Sequence, residues 1–184
     1  MHLVYPDLTL INVSSVSWPH PIPQDVDKIS FRFRTLAEKG IVMFVTSDKW
    51  NNKYLYFEVM GGKLYMFFQF GTASRFQQIG DLVNGGNWHV VKYVRDRNRI
   101  SLKLDDQEVQ HDIEGSGVQF EYKYAYIGGA PPDEWRSVSR MTKSKAYFDG
   151  CVQQATLNGV QLISADGGGM IMTTARPGCK YQVS

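Results

Sequence analysis

Trp88–Val109 reads WHVVKYVRDRNRISLKLDDQEV, and its pattern decides the fold. Ile100, Leu102 and Leu104 alternate with Ser101, Lys103 and Asp105. That period of two sets one face of a strand against a core and the other against water. The preceding WHVVKYV is rich in β-branched and aromatic residues, which favour strands. Asp96-Arg97-Asn98 supplies a polar turn between the two runs, and Asp105-Asp106 marks a second. The segment is predicted to be a β-meander with charged turns, and Lys92, Arg95, Arg97, Arg99 and Lys103 are predicted to be its solvated side.

The same stretch argues against nucleic acid as a partner. A phosphate footprint needs clustered, unopposed positive charge. Here Asp96, Asp105, Asp106 and Glu108 oppose the five cations and leave +1, and the whole chain carries only +2.

Working outward, 184 residues suit a single domain over 1–184 with its core at about 27–180. Residues 1–26 are expected to form an N-terminal strand and a proline-rich segment, PHPIP (19–23), that breaks regular structure. Beyond it, KISFRFRTL alternates Ile29, Phe31 and Phe33 with Ser30, Arg32 and Arg34, while GIVMFVTS is a continuous apolar run, predicted to be buried on both faces. KYLYFEVM and KLYMFFQF flank Gly61-Gly62, a two-residue hairpin turn of the primed type. RFQQI, YAYIGG and FDGCVQQATLNGVQL continue the series, and no segment has convincing 3.6-residue periodicity with caps. Short strands between regularly spaced turns predict an all-β, two-sheet sandwich or a barrel. The expected inner residues are Phe31, Phe33, Val42, Phe44, Leu55, Phe57 and Trp88.

Several kinds of chemistry have no carrier in the sequence. GxSxG, HExxH, P-loop and GxGxxG patterns are absent, and His2, His20, His89 and His111 are scattered, so no enzyme and no cofactor are expected. Gly167-Gly168-Gly169 lacks the strand-then-helix context of a phosphate cradle. No apolar run approaches the roughly 20 residues of a membrane span, so no membrane insertion is expected. Met1-His2 is followed by no basic n-region and apolar h-region, so no signal peptide is expected here, which leaves open that the chain is part of a larger secreted protein. Cys151 and Cys179 are either two buried thiols or one disulfide, and without a CxxC or Cys/His cluster zinc is not expected. Asn12-Val13-Ser14 is an N-glycosylation acceptor, which together with the cysteines points to an extracellular protein. WRSVSRMTKSK (135–145) carries Arg136, Arg140, Lys143 and Lys145 with no acidic residue before Asp149, so this exposed, flexible rim loop is either an unopposed anion site for sulfated glycans or simply a solvated loop.

Four motifs in order carry a family resemblance. GNWHVVKYVRDRNRISLKLDDQEV, YAYIGG followed by prolines, FDGCVQQATLNGVQL and GIVMF together resemble the laminin G-like (LNS) domain over roughly 27–180. The resemblance implies a two-sheet antiparallel jelly-roll sandwich of the concanavalin type. It implies an extracellular adhesion module that binds matrix or cell-surface proteins, or heparan sulfate-type glycans, through rim loops. It also implies that Cys179 is the partner of Cys151. An alternative within the same resemblance is a carrier holding a small apolar ligand between the sheets. Many such domains bind calcium at the rim through two side chains and a backbone carbonyl; the side-chain positions fall here on Lys53 and Phe120, with Glu121 adjacent, and the carbonyl position falls on Phe70. Calcium needs several oxygen ligands, usually including carboxylates, so no metal is expected.

Overall fold

The computed structural model describes residues 8–10, 14–47, 53–114, 120–162, 170–173 and 176–177. They form a two-sheet antiparallel sandwich. One sheet contains β1 (Leu8–Leu10), β3 (Val26–Thr35), β8 (His89–Asp96), β9 (Arg99–Leu104), β10 (Gln107–Asp112), β12 (Gly150–Leu157) and β15 (Arg176–Pro177). Their order is β10-β9-β8-β3-β12-β1-β15, with the short β13 (Val160–Gln161) on β12. The other contains β2 (Ser14–Gln24), β4 (Lys39–Thr46), β5 (Lys53–Met60), β6 (Lys63–Phe70), β7 (Ala73–Leu82), β11 (Phe120–Ile127) and β14 (Met170–Thr173). It runs β14-β2-β11-β4-β5-β6-β7. The paths cross between sheets rather than running strand to neighbouring strand throughout, as in a jelly roll.

The opening hairpin forms as its alternation requires. Ile100, Leu102 and Leu104 are buried, and β8 pairs with β9 from Val91↔Leu104 to Asp96↔Arg99. Arg97 and Asp105 take left-handed backbone (φ 52° and 53°) at the two turns. One residue departs from the expected solvated side. Arg95 shares the inward parity of Val91 and Tyr93 and is fully buried. Its partner, Asp27, lies across the β3–β8 ladder and 68 positions away in sequence, beyond the reach of a local pattern. Arg97, Arg99 and Lys103 are opposed as their charges suggest, with Arg97–Asp96 at 3.9 Å, Arg99–Asp112 at 3.2 Å and Lys103–Glu108 at 3.9 Å.

Between the sheets, Ile29, Phe31 and Phe33 from β3 face Leu55 and Phe57 from β5 in one apolar cluster. Phe31 and Phe57 meet edge-to-face at 5.3 Å, and Phe57 meets Tyr93 at 6.0 Å, so aromatic rings fill the middle of the sandwich. Each fully buried ring of this kind contributes about 1.5–3 kcal/mol by leaving water. Gly61 and Gly62 turn with φ 59° and 74°, the primed geometry that matches strand twist. A Cβ on Gly62 would also fall 2.7 Å from Asn84 Oδ1.

Four expectations are corrected. PHPIP does not end regular structure, because β2 runs through it. Pro19 and Pro21 fall beyond the β14 pairing and within the register shift against β11, where their lost N–H groups interrupt no described pairing, while Pro23 lies opposite Glu121. Phe44 points outward, into a second apolar cluster, rather than between the sheets. Trp88 is only half-buried and lies under the Arg32 guanidinium, 5.3 Å from its ring. The fourth is a helix, α1 (Pro132–Met141), where a flexible loop was expected. Pro at its start, Asp133 and Glu134 in the first turn and Arg140 in the last are ordinary helix signals. Its apolar stripe is short, Trp135, Val138 and Met141, and only Val138 is fully buried. That helix also explains GIVMFV. Val42, Met43 and Val45 face the inter-sheet core, while Ile41 and Phe44 share the second cluster with Val138. The strand is buried on both sides, as its unbroken apolar run requires.

Candidate ligand-binding surface

The outer face of the second sheet is built from aromatic rows. Along β5, Tyr54, Tyr56 and Glu58 share the outward parity. Their cross-strand partners on β6 are Gln69, Phe67 and Tyr65, and those in turn face Ser74, Phe76 and Gln78 on β7. Tyr126 and Phe44 extend the middle row across β11 and β4. Stacked pairs recur along it: Phe44–Tyr56 at 5.7 Å, Tyr56–Phe67 at 5.3 Å and Tyr54–Phe67 at 5.7 Å. Helix α1 covers Ile41, Phe44 and Tyr126, while Tyr54, Tyr65, Phe67, Phe76 and Tyr124 stay half-exposed.

The basic segment is fixed to this face by a buried carboxylate. Glu58 is fully buried and accepts the backbone N–H groups of Lys143 (3.3 Å) and Ser144 (2.8 Å). Beside it the Tyr56 hydroxyl donates to the Met141 carbonyl at 3.2 Å, and burial pushes the Tyr56 phenol far above its usual range. Arg136, Arg140, Lys143 and Lys145 are all exposed. Arg136 and Arg140 sit one turn apart on one face of α1, with Asp133 on the same stripe three residues earlier. Their setting is therefore a helix with one acidic neighbour, not a flexible loop. Lys143 follows the helix and lies with its ammonium 4.3 Å from the Phe76 ring centre, held by the ring's negative face. Lys145 has left-handed backbone (φ 50°) where the chain turns back toward the sheet.

Lys53, Phe70 and Phe120 do converge at one rim of the sandwich. Lys53 and Phe70 are cross-strand partners, and the Phe70 and Phe120 rings lie 5.1 Å apart. None of these three side chains offers an oxygen, and the Arg95 guanidinium lies 5.5 Å from the Phe70 ring on its core side. Asp27 binds Arg95 through Nε at 2.8 Å and through the terminal nitrogen at 2.7 Å. Burial pushes the Asp27 carboxyl up to about 6, although the Arg95 guanidinium pulls it down. Among the described residues no three His, Cys, Asp or Glu side chains group as a metal would need.

A cleft of about 240 Å³ lies between β7 and the β8–β10 meander, lined by residues that include Asp81, Leu82, His89, Asp105 and Asp106. His89 Nδ1 is 2.7 Å from Asp105, whose other oxygen accepts the Val90 N–H, so this histidine ties the β9–β10 turn to β8. Cys151 is fully buried on β12, while Cys179 and Asn12 lie outside the described residues. Sequence reasoning found the cations of 135–145 but missed the aromatic face beneath them. The signal was present: Tyr54, Tyr56, Tyr65 and Phe67 alternate out of register with the core residues of the same strands.

An antiparallel two-sheet jelly-roll sandwich defines the structural class. The sequence model of the laminin G domain matches residues 33–160, so the chain belongs to the laminin G domain family. Mouse laminin subunit alpha-4 is 27% identical over 141 residues, covering 75% of this chain and 8% of the relative. Human neurexin-2 is 26% identical over 132 residues, covering 70% of this chain and likewise 8% of the relative. Among solved structures, domains LG4-5 of the mouse laminin alpha1 chain align with a TM-score of 0.74 at 18% identity, over 94% of this chain and 44% of that one. The chain thus spans less than a tenth of the length of these curated relatives.

Proposed function

We propose that this laminin G domain is a non-catalytic adhesion and ligand-binding module of an extracellular matrix or cell-surface protein. It recognises protein partners or sulfated glycans, and it does so without calcium. The observation that carries the glycan reading is the exposed run Arg136, Arg140, Lys143 and Lys145, held against the sheet by buried Glu58. Four cations with one acidic neighbour on a rigid β scaffold suit a polyanion. Calcium independence rests on Lys53 and Phe120 at the two side-chain positions, which supply repulsion and hydrocarbon in place of oxygen ligands, while the Phe70 position asks only for a backbone carbonyl. The filled inter-sheet space, with Phe31, Phe57 and Tyr93 rings in contact, favours an adhesion module over a carrier.

Elution from a heparin column tests the glycan reading. The Arg140→Ala, Lys143→Ala, Lys145→Ala triple variant is expected to leave at lower salt than the wild type, and equal elution defeats the reading. Calorimetry with millimolar calcium is expected to show no saturable heat. The pairing of Cys151 with Cys179 is part of the same proposal, supported by a fully buried Cys151 that is not a free thiol. It predicts no reactive sulfhydryl in denatured, unreduced protein. Asn12 is proposed to carry an N-glycan, so glycosidase should lower the mass of material from secreting cells.

A further inference from the structure

We infer that the open part of the outer aromatic face is a contact surface for an anionic oligosaccharide, in which the ring edges of Tyr54, Tyr65, Phe67 and Phe76 meet the sugar units while Lys143 holds a carboxylate or sulfate group. This rests on the glycan reading above and adds to it a location and a second kind of contact. The rings stand on the sheet and stack across strands, Tyr54–Phe67 and Tyr56–Phe67 at interplanar angles of 30° and 23°. Their negative faces are therefore turned on one another, and their edges point outward. An aromatic edge is the positive pole of the ring quadrupole, so the surface is apolar and mildly electropositive together.

The charges agree with that polarity. Lys143 lies over Phe76 on β7 and is exposed. An ammonium resting on a ring keeps N–H donors for an anion on its open side. The outward positions of β5, β6 and β7 in the three rows contain one carboxylate, Glu58, and it is buried on backbone N–H groups. The remainder are aromatic rings, Gln69, Gln78 and Ser74, whose amides and hydroxyl suit sugar oxygens. A protein partner draws its affinity from anchors in pockets, whereas this surface is a flat row of edges. A short chain that alternates hydrocarbon, hydroxyl and acidic groups fits it better.

The test uses a size-defined heparin hexasaccharide, a neutral hexasaccharide and a polyglutamate peptide, read by aromatic NMR and by calorimetry. The heparin hexasaccharide is expected to move the ring signals of Tyr54, Tyr65, Phe67 and Phe76 in the wild type. Phe67→Ala and Tyr54→Ala are expected to weaken it severalfold, and Lys143→Ala to lower the salt dependence by roughly one charge. Should an alanine variant lose its cooperative thermal transition, the wild-type ring signals decide. Binding with unmoved ring signals overturns the inference and leaves the basic helix as the site. Equal ring shifts from polyglutamate also overturn it, since the face would then read charge alone. Failure of the wild type to bind any heparin oligosaccharide instead removes the broader glycan reading, and this inference with it.

Discussion

Among the described residues two carboxylates are buried, and they are neutralised in opposite ways. Asp27 stands at the inner rim and faces a full positive charge, the Arg95 guanidinium, with Tyr93 and Asn158 beside it. Glu58 stands on the outer face and is met by backbone N–H groups of a passing segment. The first joins two strands of one sheet beneath the rim, and its loss should be felt throughout the core. The second pins an accessory segment onto a finished sheet, and its loss should be felt locally. One region is therefore part of folding, while the other presents ligand-binding groups.

Asp27→Ala should break the comparison with the largest effect. It leaves a guanidinium that cannot shed its proton stranded among Phe70, Tyr93 and the ladder of β3 and β8. Removing one partner of a buried pair typically costs about 3–5 kcal/mol, so urea unfolding should move to a much lower midpoint. The double variant Asp27→Leu, Arg95→Met should recover most of that loss, because replacing a buried pair by hydrocarbon is often neutral. If the single variant unfolds at the wild-type midpoint, the pair does not hold the rim.

The two regions also differ in how far the sequence discloses them. The β8–β9 hairpin, the Gly61-Gly62 turn and the double burial of GIVMFV follow from local alternation and turn chemistry, and each forms as expected. The Asp27–Arg95 pair was hidden because its partners come from separate strands, although the parity of Val91, Tyr93 and Arg95 already placed the arginine inward. Helix α1 was hidden for another reason. Only Val138 is fully buried, so the apolar period that marks a helix is carried by three residues and competes with a run of Ser, Arg and Thr. The basic residues of the candidate site were legible as charge, but their arrangement was not. It depends on Glu58, which local sequence presents as one more outward polar residue of β5.

Glu58→Gln should have a smaller and more local effect. The amide keeps one acceptor oxygen but loses the charge that strengthens both backbone hydrogen bonds. A cost of about 1–2 kcal/mol is expected. Hydrogen exchange should quicken at the Lys143 and Ser144 amides while β3 and β8 keep their protection. Heparin should bind this variant less tightly, because Lys143 is no longer held at Phe76. Quickened exchange spread evenly over both sheets would mean that Glu58 belongs to the core and that the contrast with Asp27 is false.

The smallest effect sharpens the comparison through pH. The Asp27 carboxyl is raised to about 6, from an ordinary value of 3.8, because desolvation outweighs the attraction of Arg95. A group whose folded pKa lies above its unfolded one binds its proton more tightly in the native state. Its contribution is then fully present below the unfolded value and is lost as pH rises through the folded one. Between pH 7.5 and 5.5 this group should therefore raise stability by about 1 kcal/mol or less on acidification. Subtracting the profile of Asp27→Asn from that of the wild type isolates the contribution from other titrating groups. A difference that rises toward pH 5.5 agrees with a carboxylate that burial penalises. A difference that stays flat over this window and falls only as the pH drops through the ordinary value of 3.8 would show that the guanidinium wins, and that Asp27 is a stabilised anion whose pKa is lowered rather than raised.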